Sequence, residues 1–180
     1  MTNERCPKCG PQTLTPVEQT SVLRCRGCSG FWVPPEALAL PGIVELLLAH
    51  DLRPERPLEQ DHRTGPCPDG HGLLRRARAT NDDPFFLERC ARCGGVWFDP
   101  GEWSRLESAG LLTDVTTLWS PAWRDHLSEE QNRASLEADL RQKLGNDTFE
   151  TMKRLVDELS EERNLAALAL AYLQQRLRER

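Results

Sequence analysis

Two kinds of apolar patterning divide the chain. In the first part, apolar residues fall in short runs bounded by Gly, Pro and Cys; from about Ser120 they recur at helical spacing. Gln12–Thr15 and Gln19–Arg24, joined around Pro16, predict two short strands. Leu73–Thr80 and Phe85–Arg89 predict two more, turned by Asn81-Asp82-Asp83-Pro84. Each pair leads into a short extended piece that carries Trp32 or Trp97. A helix is expected after Trp97, with Asp99 as N-cap, Pro100 at the first helical position and Glu102 three residues beyond the cap. Trp103 and Leu106 would turn back toward the strands. After Trp32 the cap is absent and Pro34-Pro35 stands instead; Pro41-Gly42 then interrupts, and Ile43–His50 predicts a further short helix.

Beyond Ser120 cysteine vanishes and Gly145 is the only glycine. Ser120-Pro121 predicts a helix start, and Ser128 with Gln131 forms a second capping-box signature. Leu136, Leu140 and Leu144 follow at four-residue spacing until Gly145 ends the helix. Phe149, Met152, Val156 and Leu159 mark another helix from about Asp147. Leu165–Leu173 is apolar on every face, yet nine residues cannot span a bilayer. Burial against another helix, in the chain or in a dimer, is expected instead.

The chemistry lies in a repeat. Cys6-Pro7-Lys8-Cys9 is followed by Cys25-Arg26-Gly27-Cys28, and Cys67-Pro68-Asp69-Gly70-His71 by Cys90-Ala91-Arg92-Cys93. After each set a glycine and a tryptophan keep step: Gly30 and Trp32 in the first, Gly95 and Trp97 in the second. The sets use all seven cysteines and one of four histidines, giving the eight soft ligands that two tetrahedral sites require. Predicted ligands are Cys6, Cys9, Cys25 and Cys28 for one site, and Cys67, His71, Cys90 and Cys93 for the other. Asp69 is the alternative to His71, although a turn residue is expected there. Such donors suit zinc or iron.

An odd cysteine count fits a disulfide framework badly, and the chain opens without an apolar signal segment, so a reducing, cytoplasmic setting is expected. Four protein ligands per site leave no open position for water or substrate, which makes both metals structural. No phosphate loop, nucleophile elbow or zinc-protease helix motif is present, and an enzyme is not expected. Trp32 and Trp97 are expected to cover the metal knuckles rather than stack on bases. His50 and His62, outside the repeat, are expected at the surface.

The net charge of −5 argues against a general grip on nucleic acid. Arg5, Lys8, Arg24 and Arg26 nonetheless give the first repeat a basic balance. On the strand Leu73–Thr80, Arg76 and Arg78 would share one face and Arg75 the other.

Cys-Pro-x-Cys, Cys-x-x-Cys-x-Gly-x-Trp and Pro-Gly-Glu with a following leucine resemble the transcription factor IIB-type zinc ribbon family of small bacterial proteins. The likeness covers about residues 4–42 and 66–108 and is nearest from Cys90 to Leu106. It implies zinc at the eight ligands named; a link to transcription follows only by analogy of fold. The expected architecture is small α+β. Residues 1–50 form a zinc ribbon and helix, 51–65 a linker rich in Pro and charge, 66–112 a second ribbon, and 113–180 a helical segment. Two zinc ions per chain, and a protein-interaction role through an unidentified partner or self-association of the C-terminal helices, complete the expectation. Nucleic-acid binding is the alternative; a membrane is not expected.

Overall fold

A computed structural model describes residues 5–10, 14–51, 62–160 and 163–179, so most of the expected 51–65 linker and the start of the first expected strand lie outside the described residues. The chain divides into two compact units, 1–128 and 129–180. The division falls inside a helix.

In the first unit the two repeats are not separate ribbons side by side. Strands β1 (Leu14–Pro16), β2 (Leu23–Cys25) and β3 (Phe31–Val33) come from the first repeat; β4 (Arg75–Arg78), β5 (Phe86–Arg89) and β6 (Val96–Phe98) come from the second. They join in one antiparallel sheet ordered β1-β2-β3-β6-β5-β4. The seam is β3 against β6, with Phe31 opposite Phe98, Trp32 opposite Trp97 and Val33 opposite Val96. That register is symmetric about the tryptophan pair, so the sheet has a pseudo-twofold axis at its centre. All six seam residues are buried, as uninterrupted apolar triplets in central strands should be.

Strand alternation sorts the sheet's faces. Phe31, Val33, Val96 and Phe98 pack with Val17, Val22, Ala79, Phe85 and Leu87 beneath helical elements. Those elements are α1 (Pro35–Leu38), α2 (Ile43–His50), α3 (Glu102–Ser108) and the 3-10 helix Leu112–Trp119, and they contribute Ala37, Ile43, Leu47, Trp103, Leu106, Val115 and Leu118. Trp32 and Trp97 point the other way, among the cysteines. Val115 and Leu118, which fall in the expected helical segment 113–180, thus belong to the sheet's core. Each buried aliphatic or aromatic side chain is worth about 1.5–3 kcal/mol.

Helix α3 starts differently from the expected cap. Its first residue is Glu102, preceded by Gly101 at φ 86°. Glu102 does reach back, its carboxylate accepting from the Asp99 N–H at 2.7 Å. The Asp99 carboxylate, however, is turned into the protein. Asp51 does the capping from a distance: one carboxylate oxygen accepts from the Gly101 N–H at 2.6 Å, the other from the Ser104 N–H and hydroxyl at 2.9 Å each. A residue expected to begin the linker therefore ties α2 to α3.

Helix α4 runs unbroken from Pro121 to Leu144, so Ser128 is not a helix start. Ser120 Oγ accepts from the Trp123 N–H at 3.1 Å, as the Ser-Pro signal predicts. Gly145, at φ 80°, ends the helix. Helices α5 (Asn146–Ser160) and α6 (Arg163–Arg178) complete the second unit. Phe149 is buried there beneath the Arg141 guanidinium, which also pairs with Glu150 at 2.9 Å. Among the described residues of the second unit the Leu165–Leu173 stretch is not buried as expected: Leu168 is 68% and Leu170 58% exposed. Among the described residues no helix is long and apolar enough to cross a membrane.

Candidate metal centres

Each tetrad is built from two knuckles that a tight turn presents. In the first repeat the Gly10 N–H bonds to the Cys6 carbonyl at 2.9 Å, and the Ser29 N–H to the Cys25 carbonyl at 2.8 Å. Gly10 and Ser29 take positive φ, 75° and 65°, to close those turns; Gly94 does so in the second repeat, at 80°. The knuckle amides aim at sulfur: Cys9 N–H to Cys6 Sγ at 3.2 Å, Gly27 N–H to Cys25 Sγ at 3.3 Å and Arg92 N–H to Cys90 Sγ at 3.4 Å. Amide donors of this kind favour the thiolate over the thiol.

The Cys67 turn is shorter, with the Gly70 N–H bonding to the Cys67 carbonyl at 2.9 Å. Gly70 and Gly72 both have positive φ, and His71 between them takes the place of Cys9. The extra residue in Cys-x-x-x-His is absorbed in this way. His71 presents Nδ1, 3.7 Å from Cys67 Sγ.

The structure brings the eight predicted ligand residues together as Cys6, Cys9, Cys25 and Cys28, and as Cys67, His71, Cys90 and Cys93, with the ligand atoms of each set within 4.8 Å of one another. Cys6 and Cys28 sulfurs are 3.6 Å apart, Cys9 and Cys25 3.9 Å, and Cys67 and Cys93 3.8 Å. A tetrahedron with zinc–sulfur bonds of about 2.3 Å has edges of about 3.8 Å, whereas a disulfide brings sulfurs to about 2.05 Å. All seven cysteines are free, so the spacing is that of metal ligands. The Asp69 carboxylate stays 4.0 Å from Cys67 Sγ and outside the tetrad.

Packing thiols this closely without a cation penalises ionisation. Burial and the neighbouring Cys28 and Cys25 push the Cys9 thiol up to about 12. Burial, with Cys90 and Cys67, pushes Cys93 up to about 12. Cys28 is raised by its contact with Cys6 and by burial, and Cys67 chiefly by burial. Burial works against Cys90 too, but the amides of Cys93 and Arg92 outweigh it and lower its pKa. A dication supplies what the clusters lack, and the two tetrads fit two zinc ions.

Around the metals, polar groups that the cysteine pattern does not reveal form a buried cluster. Lys8, between two ligands of the first site, crosses into the second repeat. Its Nζ lies 2.9 Å from Glu88 Oε1, 3.0 Å from Asp99 Oδ2 and 2.6 Å from the Arg63 carbonyl. Asp99 Oδ1 accepts from the Trp97 indole at 2.8 Å, and Arg76 approaches Glu88 at 3.4 Å. Burial acts to lower the pKa of Lys8; the Asp99 and Glu88 carboxylates outweigh it and raise its pKa. Burial pushes Glu88 up to about 7, with Lys8 and Arg76 pulling the other way. Lys8 is therefore not part of a basic surface on the first repeat. Arg76 lies over the Phe86 ring at 4.2 Å, while Arg75 is exposed. The histidines outside the repeat stand apart from the tetrads: His50 Nδ1 meets the Leu46 carbonyl at 2.9 Å, and His62 is exposed.

Two knuckles closing each tetrad, short antiparallel strands and fully protein-ligated sites define the class: this is a zinc-ribbon protein with two ribbons. Residues 67–109 match a family described as "Transcription factor zinc-finger", and the first ribbon repeats its ligand plan at residues 6–28. No curated protein and no solved structure matches the chain.

Proposed function

We propose that this is a non-enzymatic zinc-ribbon protein of the cytoplasm, in which the ribbons are scaffold and the C-terminal helices dock a protein partner. Closed coordination supports the absence of catalysis, since neither tetrad offers a metal position to substrate. Seven free cysteines suit a reducing compartment.

The observation that carries the docking role is the apolar surface of α5 and α6. Met152, Val156, Leu165, Leu168, Tyr172 and Leu177 are all exposed, Leu177 by 74%. Apolar side chains clustered along consecutive helices mark interaction surfaces. Self-association would cover these apolar side chains. Light scattering on the full chain tests this: a dimer is expected, returning to monomer when Leu168 and Leu173 become Glu. A monomer that also retains no protein partner after pull-down would contradict the docking role.

Nucleic-acid binding is the second reading, favoured by the family's description and by exposed Arg26, Arg75 and Arg92. Titration across salt separates the two. Affinity that falls steeply with salt and is lost on changing those three arginines to Glu would favour nucleic acid.

A further inference from the structure

Four contacts tie the surroundings of one metal site to those of the other. The first is Lys8. It is fixed between Cys6 and Cys9, yet its ammonium is fully buried and meets Glu88 and Asp99 of the second ribbon. Glu88 is two residues before the ligand Cys90, and Asp99 holds the Trp97 indole N–H. The second and third contacts are reciprocal. A Cβ on Gly30 would overlap the ring of Trp97, and a Cβ on Gly95 would overlap the ring of Trp32. Each glycine lies two residues beyond a ligand, Cys28 or Cys93, so each tryptophan roofs the knuckle of the opposite repeat. This is why glycine and tryptophan keep step in both copies: the glycine makes room for the other copy's ring. Gly65, two residues before Cys67, lies so close to the Pro7 backbone that it too has no room for a side chain.

We propose that the two zinc sites load as one cooperative unit, with Lys8 as the positioning residue that links them. Neither ribbon can complete its own surroundings alone. Closing the first tetrad sets Lys8 and lays the Gly30 surface under Trp97; closing the second sets Glu88 and Asp99 and lays Gly95 under Trp32. A metal at either site therefore prepares its neighbour, and by linkage the preparation runs equally in both directions.

Native mass spectrometry of the metal-free full chain, refolded with one equivalent of zinc, tests the proposal without any substitution. Identical independent sites would leave about half the molecules with one zinc, and unequal independent sites would leave more. The expected result is that metal-free and two-zinc species dominate and the one-zinc species falls well below half. One-zinc species at half or above would overturn the proposal.

Lys8→Met locates the coupling, because it leaves all eight ligands in place. Cobalt(II) is the probe, since a four-thiolate site and a three-thiolate, one-imidazole site absorb differently. Cobalt affinity at Cys67, His71, Cys90 and Cys93 is expected to fall at least tenfold, although the substitution is in the first ribbon. An effect confined to the first site would remove Lys8 from the proposal. The variant Lys8→Met with Glu88→Leu and Asp99→Asn removes the buried charges together; it is expected to fold with excess zinc and to accumulate one-metal species. Loading as cooperative as that of the unaltered chain would again exclude Lys8.

Discussion

The two ribbons share a backbone plan and differ in what they bury. Their second knuckles, strand order and tryptophans follow one pattern, and their seam is symmetric about Trp32 and Trp97. The second ribbon, however, holds Glu88, Asp99 and Glu102 in its interior, while the positions matching Glu88 and Asp99 in the first are Leu23 and Pro34. Among the described residues the first supplies one buried charge, Lys8, and it goes to the second. At the matching place in the second ribbon, Asp69 is exposed. Repetition builds a symmetric sheet from two small units; the departures from repetition lock the copies together.

Metal removal should have the largest effect on this arrangement. Structural zinc contributes on the order of 10–16 kcal/mol per site. All five tryptophans lie in residues 1–128 and the single tyrosine is Tyr172, so tryptophan emission reports the ribbon unit alone. A strong chelator should shift that emission to the red and abolish cooperative unfolding of the ribbons. Zinc entry must also displace thiol protons, since Cys9 and Cys93 sit near 12 without metal. Zinc affinity should therefore rise with pH, with proton release measurable in weakly buffered solution.

Lys8→Met takes the ammonium from two buried carboxylates, of which Glu88 keeps Arg76 at 3.4 Å, and should cost about 3–5 kcal/mol, read by denaturant melts of the zinc-loaded protein. Asp69→Asn at the matching place should change stability by less than about 0.5 kcal/mol. Equal effects would erase the asymmetry. Gly95→Ala should cost about 3 kcal/mol, because its Cβ meets a buried ring that has nowhere to move. Gly10→Ala, with open space around it, should cost only about 1–2 kcal/mol of left-handed strain. Asp51→Ala removes three hydrogen bonds at the start of α3 and should cost about 2 kcal/mol.

Much of the ribbon architecture was legible because metal ligation imposes fixed spacings. Cysteine and glycine positions specify the knuckles, and the turn Asn81–Pro84 specifies the β4–β5 hairpin. Ile43–His50 was also legible, since Pro41-Gly42 marks where it starts. What escaped depends on groups distant in sequence. Asp99 looks like a helix cap, but the cap is Asp51 and Asp99 answers to Lys8. Lys8 looks like surface charge until the second ribbon folds against it. The shared sheet escaped because β3 and β6 pair across the repeats; their uninterrupted apolar triplets, unlike the alternating pattern of an edge strand, were the signal for it. Ser128 carries a capping signature that helix α4 ignores, since a helix already started at Pro121 has no unpaired N–H there to cap.

Zinc-edge X-ray absorption of the protein as purified, normalised to protein concentration, tests the central claim most directly. Two zinc ions per chain are predicted, sharing seven sulfurs and one imidazole nitrogen at four-coordinate distances, with no water or carboxylate oxygen. A single zinc, or an oxygen donor in place of the imidazole, would contradict the assignment of the second ribbon and the sheet built around it.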